Sequence, residues 1–301
     1  MNVGQKRGRK ITALCSLLGY SRQAFYQQVE AMEKKVLGEE LIVQQVLGIR
    51  ERQKRVGARK LLLMLEPFLL EHKLQIGRDV FFALLSKHNL LVRMRKSRIP
   101  RTTCSNHWMK KYPNLIVGMS IRAPNTLWVS DITYITLKDD FAYLSLITDA
   151  YSRMIVGYHL SRNLQTEGCV KALKMAIKQR PSGSMLIHHS DRGSQYCSFE
   201  YVEQLLSGQI SISMTQDGDP RENAIAERVN GIMKQEFLLI IYDCFEDAGI
   251  AIKEAIHIYN HERRHSSVDM LTPFEAHNMA GELKRHWKNY YTNKPKEVAA
   301  M

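Results

Sequence analysis

Cysteine pairs, long apolar runs and nucleotide-binding loops are all missing from this sequence. Its five cysteines are scattered along 301 residues and form neither a C-x-x-C pair nor a cysteine–histidine spacing typical of zinc. No stretch approaches the roughly 20 apolar residues of a membrane span, and the first residues lack the apolar run of a secretory signal. No segment matches G-x-x-x-x-G-K-S/T, the loop that cradles nucleotide phosphates. We therefore expect reduced thiols in a cytoplasmic protein without an ATP site.

Acidic residues are scarce in the first third of the chain, and this scarcity predicts a polyanionic partner. The formal net charge is +13 and the pI about 9.5. Residues 1–111 contain 23 lysines and arginines against 8 acidic residues, whereas the remainder contains 20 against 22. A basic segment joined to a nearly neutral one is typical of a nucleic-acid-binding region attached to another domain. The alternative interpretation is a generally basic protein.

The N-terminal residues predict a helix-turn-helix. Apolar residues at helical spacing precede Gly19, and Ser21 is a suitable N-cap for a second helix over residues 22–32. Arg22 and Gln23 at the start of that helix are candidates for DNA contacts, as in the second helix of DNA-binding helix-turn-helix motifs. A plain helical hairpin remains the alternative.

A second helical unit and a basic run follow. Helices are predicted within "LGEELIVQQVLGIRERQKRVG", within "ARKLLLMLEPFLLEHKL", where Pro67 predicts a break or a kink, and within "QIGRDVFFALLSKHNLLV", after a glycine-marked turn. A run of charge is often only a solvated face. Because this run connects two different folding patterns, we expect it to contact DNA phosphates. Its basic residues are Arg93, Arg95, Lys96, Arg98 and Arg101.

From about residue 125 the pattern changes to that of a mixed α/β layer fold. "LWVSDITYITL" predicts a strand, and "FAYLSLITDAYSRMIVGYHLS" predicts two more joined by a tight turn near Asp149 to Arg153. The order helix, strand, helix, strand and two helices follows. Asp149, Asp217 and Asp219 are expected to be ordinary turn-forming aspartates.

Three carboxylates in this region are candidate metal ligands. Asp131 lies in the middle of an apolar strand, Asp191 follows a buried strand in "LIHHSD", and Glu227 lies on the helix "RENAIAERVNGIMKQEF". Ligands of α/β sheets gather at the carboxyl ends of strands. Three clustered carboxylates cannot all stay ionised without cations. Two Mg²⁺ or Mn²⁺ ions would neutralise them and serve phosphoryl displacement.

The glutamate helix has one polar face. Asn223, Glu227, Asn230 and Lys234 are spaced to lie on it. An acid, two amides and a base suit a metal ion and a phosphate backbone, so we predict that Asn223, Asn230 and Lys234 contact DNA. A solvated polar face is the alternative.

Four sequence blocks resemble the catalytic core of the IS-three-type insertion-sequence transposases. These blocks are "LWVSDITYI", "HSDRGSQY", "GDPRENAIAERVNGIMKQE" and "YNHERRHSSVDMLTP", and 35 residues separate Asp191 from Glu227, as in that family. The family belongs to the DDE enzymes with a retroviral-integrase-like fold. The resemblance implies an α/β ribonuclease H-like core, a mixed five-stranded sheet with helices, preceded by an all-α helix-turn-helix DNA-binding region.

The resemblance also implies roles for individual residues. It makes Asp131, Asp191 and Glu227 the catalytic metal ligands, and it aligns Lys234 with a basic position that contacts end DNA in this superfamily. Trp128 and His189 match motif positions without a certain role, and a packed or hydrogen-bonded histidine is the ordinary expectation. Arg263 and Arg264, in the last block, are interpreted as DNA-facing or structural.

These inferences predict five segments and one function. The segments are a helix-turn-helix (1–50), a second helical DNA-binding unit (51–97), a basic linker (98–124), an integrase-like core (125–280) and a tail (281–301). The predicted function is a transposase that binds terminal inverted repeats and catalyses metal-dependent strand cleavage and strand transfer. It would act as a dimer or larger complex on transposon and target DNA, at the bacterial nucleoid. Alternatives are a ribonuclease H-like nuclease or resolvase, and a non-catalytic helix-turn-helix regulator.

Overall fold

The computed structural model of the chain describes residues 11–92, 107–181, 185–216, 223–284 and 286. It divides into two compact units, Met1–Met94 and Arg95–Met301. Asp217, Asp219, most of the predicted tail and all five predicted phosphate-contacting residues of the basic run lie outside the described residues. These five are Arg93, Arg95, Lys96, Arg98 and Arg101.

The first unit is all-helical in its described residues. Helix α1 covers residues 11–17, α2 spans Arg22–Arg52, α3 spans Ala58–Glu71 and α4 spans Arg78–Lys87. The apolar faces of α2, α3 and α4 pack into one cluster, which includes Val46, Leu61, Leu65, Phe81 and Leu85. The predicted all-α region is therefore confirmed.

The junction between α1 and α2 has the predicted glycine turn and serine cap. Gly19 takes a φ of 73°, a backbone conformation that glycine adopts without steric cost. The Ser21 hydroxyl accepts a hydrogen bond from the Ala24 N–H at 3.0 Å and so caps α2. Arg22 and Gln23 are exposed in the first turn of α2.

Two helices run without a break where the sequence pattern separated or interrupted them. Helix α2 continues from the predicted 22–32 helix into the next one, and Gly38 within it packs closely. A Cβ atom on Gly38 would lie 3.1 Å from Leu74 Cδ2. Helix α3 also continues through Pro67, where burial of Leu65 and Leu69 on either side of the proline favours an unbroken helix.

Helix α2 ends two residues beyond the predicted boundary at residue 50. The residues of its C-terminal half pack with α3 and α4. The division of the chain into the five segments stays a prediction.

The second unit contains a five-stranded mixed sheet with helices on both faces. The strands are β1 (Leu127–Thr136), β2 (Phe141–Asp149), β3 (Ile155–Ser161), β4 (Leu186–Ser190) and β5 (Ile210–Met214). The helices are α5 (Thr166–Gln179), α6 (Ser194–Cys197), α7 (Phe199–Ser207), α8 (Ala224–Ile232), α9 (Phe245–His261) and α10 (Pro273–His277), and a π-helical turn, Met233–Phe237, follows α8. The predicted fold class is confirmed.

The strand order is β3-β2-β1-β4-β5. Strands β1, β2 and β3 form antiparallel hairpins, whereas β4 and β5 run parallel to β1. Helices α5 and α7 cover one face, around Trp128, Leu173 and Tyr201. Helices α8 and α9 cover the other face, around Leu144 and Ile252.

The parallel register of β1 and β4 determines where the aspartates lie. Trp128 is opposite His188, and Val129 is opposite His189. Continuing this register by two residues brings Asp131 level with Asp191, directly beyond the carboxyl end of β4. The sheet therefore places both predicted aspartates at one position along the β1–β4 seam, as expected for ligand sites of α/β sheets.

A tight turn joins β2 to β3, as predicted, and Asp149 organises it. The buried Asp149 carboxylate accepts hydrogen bonds from the Asn125, Tyr151 and Ser152 N–H groups and from the Ser152 hydroxyl. The interpretation of Asp149 as a turn-forming aspartate is confirmed. Within the described residues, no helix is both long enough and apolar enough to span a membrane.

Candidate active site

Asp131 lies on the central strand of the sheet, with β2 on one side and β4 on the other. Its Oδ1 accepts a hydrogen bond from the Ile132 N–H at 2.8 Å. Its Oδ2 accepts one from the Asn230 side-chain amide, also at 2.8 Å. These two contacts fix the orientation of the carboxylate but leave part of its acceptor capacity unused.

Asp191 begins the loop that connects β4 to α6. Its Oδ1 accepts a hydrogen bond from the Gly193 N–H at 3.0 Å. The loop passes so close that a Cβ atom on Gly193 would lie 3.0 Å from the same oxygen. Glycine at this position therefore allows the backbone to approach and orient the Asp191 carboxylate.

Glu227 lies in the first turn of α8, and two asparagines attach this helix to β1. The Asn223 amide donates a hydrogen bond to the Ser130 carbonyl at 3.0 Å, and Asn230 donates to Asp131. Both asparagines are buried, whereas Glu227 is exposed. The sequence prediction that Asn223 and Asn230 contact DNA is thus not supported by their placement, because both are buried and their side-chain NH₂ groups donate hydrogen bonds to β1.

The three carboxylates influence one another electrostatically. Burial raises the pKa of Asp131 to about 7, and the charges of Asp191 and Glu227 add to this increase, against the hydrogen bonds from Asn230 and Ile132. Burial also raises the pKa of Glu227, and the charge of Asp191 adds to it. Neighbouring negative charges disfavour the ionised form of a carboxyl group. A bound cation would therefore stabilise this cluster.

A cleft opens beside the two aspartates. It encloses about 360 Å³ including its open mouth, and its walls include Asp131, Asp191, Tyr134, Tyr143 and Gln195. The described residues contain no ready-made group of three histidine, cysteine, aspartate or glutamate side chains for a metal ion. Mg²⁺ typically takes one or two carboxylates and completes its coordination with water and substrate phosphates. Two aspartates at an open cleft therefore fit such an ion by donor type.

Lys234 lies at the edge of the same region, in the π-helical turn after α8. Its ammonium group is 4.0 Å from the centre of the Tyr134 ring, a cation–π contact. Burial lowers the pKa of Lys234, while the charge of Asp131 opposes that change. The structure thus brings Lys234 into the electrostatic neighbourhood of the predicted catalytic residues.

Arg263 and Arg264 have different environments. Arg263 is buried, and its guanidinium donates two hydrogen bonds to the Glu236 carboxylate at 2.7 Å each. Arg264 lies at the surface and forms an ion pair with Glu275 at 2.9 Å. Of the two readings left open for Arg263, the structural one is correct and the predicted DNA contact is wrong, because its donors are used inside the protein.

His188 is a central residue of this region that the sequence reasoning did not single out. Its Nε2 lies 2.6 Å from the Ser130 hydroxyl and 2.9 Å from the Tyr201 hydroxyl. Burial lowers its pKa to about 3, so the imidazole is neutral at physiological pH. His189 lies in the core with Nδ1 2.9 Å from the Ser213 hydroxyl. Both imidazoles are packed and hydrogen-bonded, and the motif "IHHS" was the signal that could have identified the pair.

Comparisons with known proteins identify the family of this chain. Residues 121–220 match the family described as Integrase core domain, and residues 208–273 match a second family with the same description. The chain is 36% identical, over 86% of its length and 96% of the relative, to the insertion element IS600 uncharacterized 31 kDa protein of Shigella sonnei. It is 32% identical to Transposase InsF for insertion sequence IS3A of Escherichia coli, over 52% of the chain and 56% of the relative.

A solved structure also matches. The HTLV-2 integrase catalytic core domain in complex with magnesium is 24% identical to this chain, with a TM-score of 0.42. The match covers 52% of this chain and 97% of that one.

Proposed function

Because this chain belongs to the IS-three-type insertion-sequence transposases, we propose that Asp131, Asp191 and Glu227 form its DDE active site. In this proposal the enzyme cuts DNA strands at the ends of its mobile element and joins them to target DNA. The reaction depends on divalent metal ions.

The placement of the three carboxylates is the observation that supports this proposal most directly. Asp131 and Asp191 come from adjacent parallel strands, and Glu227 comes from a helix attached to the first of them by Asn223 and Asn230. A fold gains no stability from bringing like charges together in this way. Perturbed carboxylates beside an open cleft are typical of a functional site.

Asp131, Asp191 and Glu227 would hold two Mg²⁺ or Mn²⁺ ions. When bound, such ions stabilise the negative charge on the attacking and leaving oxygens of an in-line phosphoryl displacement. The chain itself orients the ligands: Asn230 and the Ile132 N–H hold Asp131, and the Gly193 N–H holds Asp191. Lys234 would bring a positive charge to a phosphate of the bound DNA.

Two displacements at phosphorus make up the reaction. In the first, water attacks the phosphate at the transposon end, the bond to the 3′ oxygen breaks and a free 3′-hydroxyl is released. In the second, that hydroxyl attacks a phosphodiester of the target DNA, forming a new bond and displacing the 3′ oxygen of the target strand. Neither step requires a covalent bond between protein and DNA or an ATP molecule.

The first unit would recognise the element's terminal inverted repeats. Arg22 and Gln23 are exposed at the start of α2, where they can approach base edges. The basic run near residues 93–101 would contact phosphates and make binding strongly salt-dependent. We expect a dimer or larger assembly, because two ends must be joined in one reaction.

A strand-transfer assay on paired ends with Mg²⁺ tests this function. The wild-type protein should produce both cut ends and joined product, and Asp191→Asn should lose both products while retaining end binding. Cut ends without joined product would indicate a nuclease instead. End binding by the wild-type protein without any cut ends would indicate a non-catalytic regulator. Cut ends and joined product from Asp191→Asn at the wild-type level would contradict the proposed active site.

A further inference from the structure

Arg263 belongs to the last of the four sequence blocks, but the proposed chemistry assigns it no role. It follows α9, and its side chain is 3% exposed. Its guanidinium also lies 2.7 Å from His265 Nε2, through Nη1. An arginine enclosed in this way cannot reach a DNA phosphate, so its role must be sought among its protein neighbours.

The neighbour that Arg263 contacts through two hydrogen bonds is Glu236. Two parallel hydrogen bonds of 2.7 Å, from Nε to Oε2 and from Nη2 to Oε1, join the side chains across 27 residues of sequence. This two-pronged geometry fixes both the distance and the rotation of the carboxylate. The pair therefore determines where the backbone that carries Glu236 can lie.

Glu236 lies inside the π-helical turn Met233–Phe237. The Leu238 N–H donates to the Met233 carbonyl at 2.8 Å, a bond that spans five residues where an α-helix would span four. Each residue of an α-helix turns the next by about 100°. If the turn relaxed to α-helix, the side chains at its end would rotate by roughly that angle, and Glu236 would no longer face Arg263.

Lys234 lies in the same turn, two residues before Glu236. Its ammonium group contacts the Tyr134 ring at 4.0 Å, and Tyr134 lines the cleft together with Asp131. The π-helical turn thus has two side-chain attachments, one to Arg263 in the protein interior and one to Tyr134 at the cleft. Single π-helical turns within α-helices are rare, and many occur at functional sites.

We propose that Arg263 and Glu236 are positioning residues, whose buried ion pair maintains the π-helical turn that holds Lys234 at the edge of the carboxylate cleft. This inference rests on the proposed function, because it concerns how Lys234 meets the phosphate of a bound DNA end. Arg263 and Glu236 themselves touch neither DNA nor the reacting atoms.

An ion pair that serves only stability is the competing explanation, and the test must separate the two. Removing only one partner would leave an unpaired buried charge and risk unfolding. We therefore choose the double variant Glu236→Leu with Arg263→Met, since buried ion pairs replaced by apolar residues of similar size often retain stability. Arg263→Lys, which retains the charge but loses the two-pronged contact, is the second variant.

The exposed ion pair between Arg162 and Glu246, also 2.7 Å long, provides the matched control. Arg162→Met with Glu246→Leu removes the same charges from residues to which no role is assigned. Thermal unfolding with circular dichroism establishes that each variant is folded. Cleavage kinetics then use a labelled duplex that ends in the inverted repeat flanking this reading frame, with Mg²⁺.

The expected result is a loss in kcat/KM of roughly tenfold for the buried-pair variant, which is the contribution of one charge-assisted hydrogen bond to phosphate. The loss should appear mainly in KM, whereas a smaller folded fraction would lower kcat at constant KM. Lys234→Met should show a similar loss. In the Lys234→Met background, adding the buried-pair substitutions should lower kcat/KM by less than about twofold further. The reason is that both changes remove the same contact, that of Lys234 with the DNA phosphate.

Two results would overturn the proposal. The first is that the folded buried-pair variant has the same cleavage kinetics as the control variant. If only Arg263→Lys folds, the same comparison is made with Arg263→Lys. The other is a loss that multiplies fully with that of Lys234→Met. Failure of the proposed function is recognisable separately, since the wild-type protein would then not cleave the duplex, or Asp131→Asn would cleave it equally well.

Discussion

Asp131 and Asp149 are both strand aspartates of the same sheet, yet their surroundings differ. The Asp149 carboxylate is completely buried and accepts four hydrogen bonds, three of them from backbone N–H groups. The Asp131 carboxylate accepts two, and it is exposed to the charges of Asp191 and Glu227. Asp149 is thus satisfied by four hydrogen bonds, whereas Asp131 has only two and lies near two other carboxylates.

This contrast distinguishes an aspartate that stabilises the fold from an aspartate whose position does not stabilise it. A buried carboxylate with several N–H donors stabilises the turn that it organises. A carboxylate among other carboxylates costs folding free energy until a cation binds. Changes at the two positions should therefore have opposite signatures in stability and in activity.

The largest expected effect is the loss of strand cleavage in Asp191→Asn. An amide cannot replace a charged oxygen ligand of a metal ion. Loss of a residue that only supports a metal ligand lowers activity by about 10- to 100-fold, so we expect the cleavage rate of this variant to fall by more than about 100-fold. Single-turnover cleavage with Mg²⁺ measures this loss. End binding in a gel-shift assay serves as the control, and retained cleavage would remove Asp191 from the site.

Next in size is the destabilisation expected for Asp149→Asn. Oδ1 accepts three of the four hydrogen bonds, and Oδ2 accepts the one from the Asn125 N–H. The amide NH₂ of the variant replaces one of these oxygens, so at least one buried N–H group loses its acceptor and the unfolding free energy should fall by about 3 kcal/mol. Denaturant titration measures this quantity. Protein that remains folded at low temperature should still cleave DNA, and an unchanged unfolding midpoint would contradict the structural role of Asp149.

Asp131→Asn should abolish cleavage but stabilise the metal-free protein at high pH. The pKa of Asp131 is raised to about 7 in the folded state, whereas an unfolded aspartate has a pKa near 4. The folded state therefore keeps a proton that the unfolded state releases, and wild-type stability falls as pH rises from about 4 to about 7. Above pH 7 the penalty is complete.

The substitution removes this penalty, so at pH 8 with a chelator the unfolding free energy should rise by up to about 4 kcal/mol, the value of a shift of roughly three pKa units. Denaturant titrations of wild type and variant at pH 8 and at pH 4 test the sign. At pH 4 the two proteins should differ less. A variant that is less stable than wild type at pH 8 would show that the neighbouring carboxylates do not strain Asp131.

The smallest expected effect concerns Asn230, which orients Asp131 without carrying charge. Asn230→Ala removes the 2.8 Å hydrogen bond and should reduce cleavage by roughly tenfold, the lower range for outer contacts of metal ligands. The Mg²⁺ concentration for half-maximal activity should rise with it. Raising Mg²⁺ should restore part of the rate, and no shift in metal requirement would argue against this orienting role.

The sequence predicted the parts of this molecule that depend on local pattern. Alternating residues identified the strands, and spacing between acids identified Asp131, Asp191 and Glu227 as candidates whose environments the structure now describes. The glycine turn at Gly19 and the cap at Ser21 were predicted for the same reason, since their chemistry lies within a few residues.

Contacts between distant residues could not be predicted in this way. The choice of Glu236 as the partner of Arg263, 27 residues away, depends on how α8 and α9 pack. No spacing pattern in the sequence predicted the π-helical turn Met233–Phe237, whose side chains contact residues distant in sequence. The close approach of Leu74 to Gly38 is likewise a contact between residues far apart in sequence.

The two histidines of β4 have a consequence for strand alignment. His188 joins β4 to Ser130 of β1, and His189 joins it to Ser213 of β5. If β4 slid by a single residue, its side chains would change faces and Asp191 would no longer be level with Asp131. The imidazole contacts oppose that slip, so two core histidines keep the two aspartates aligned.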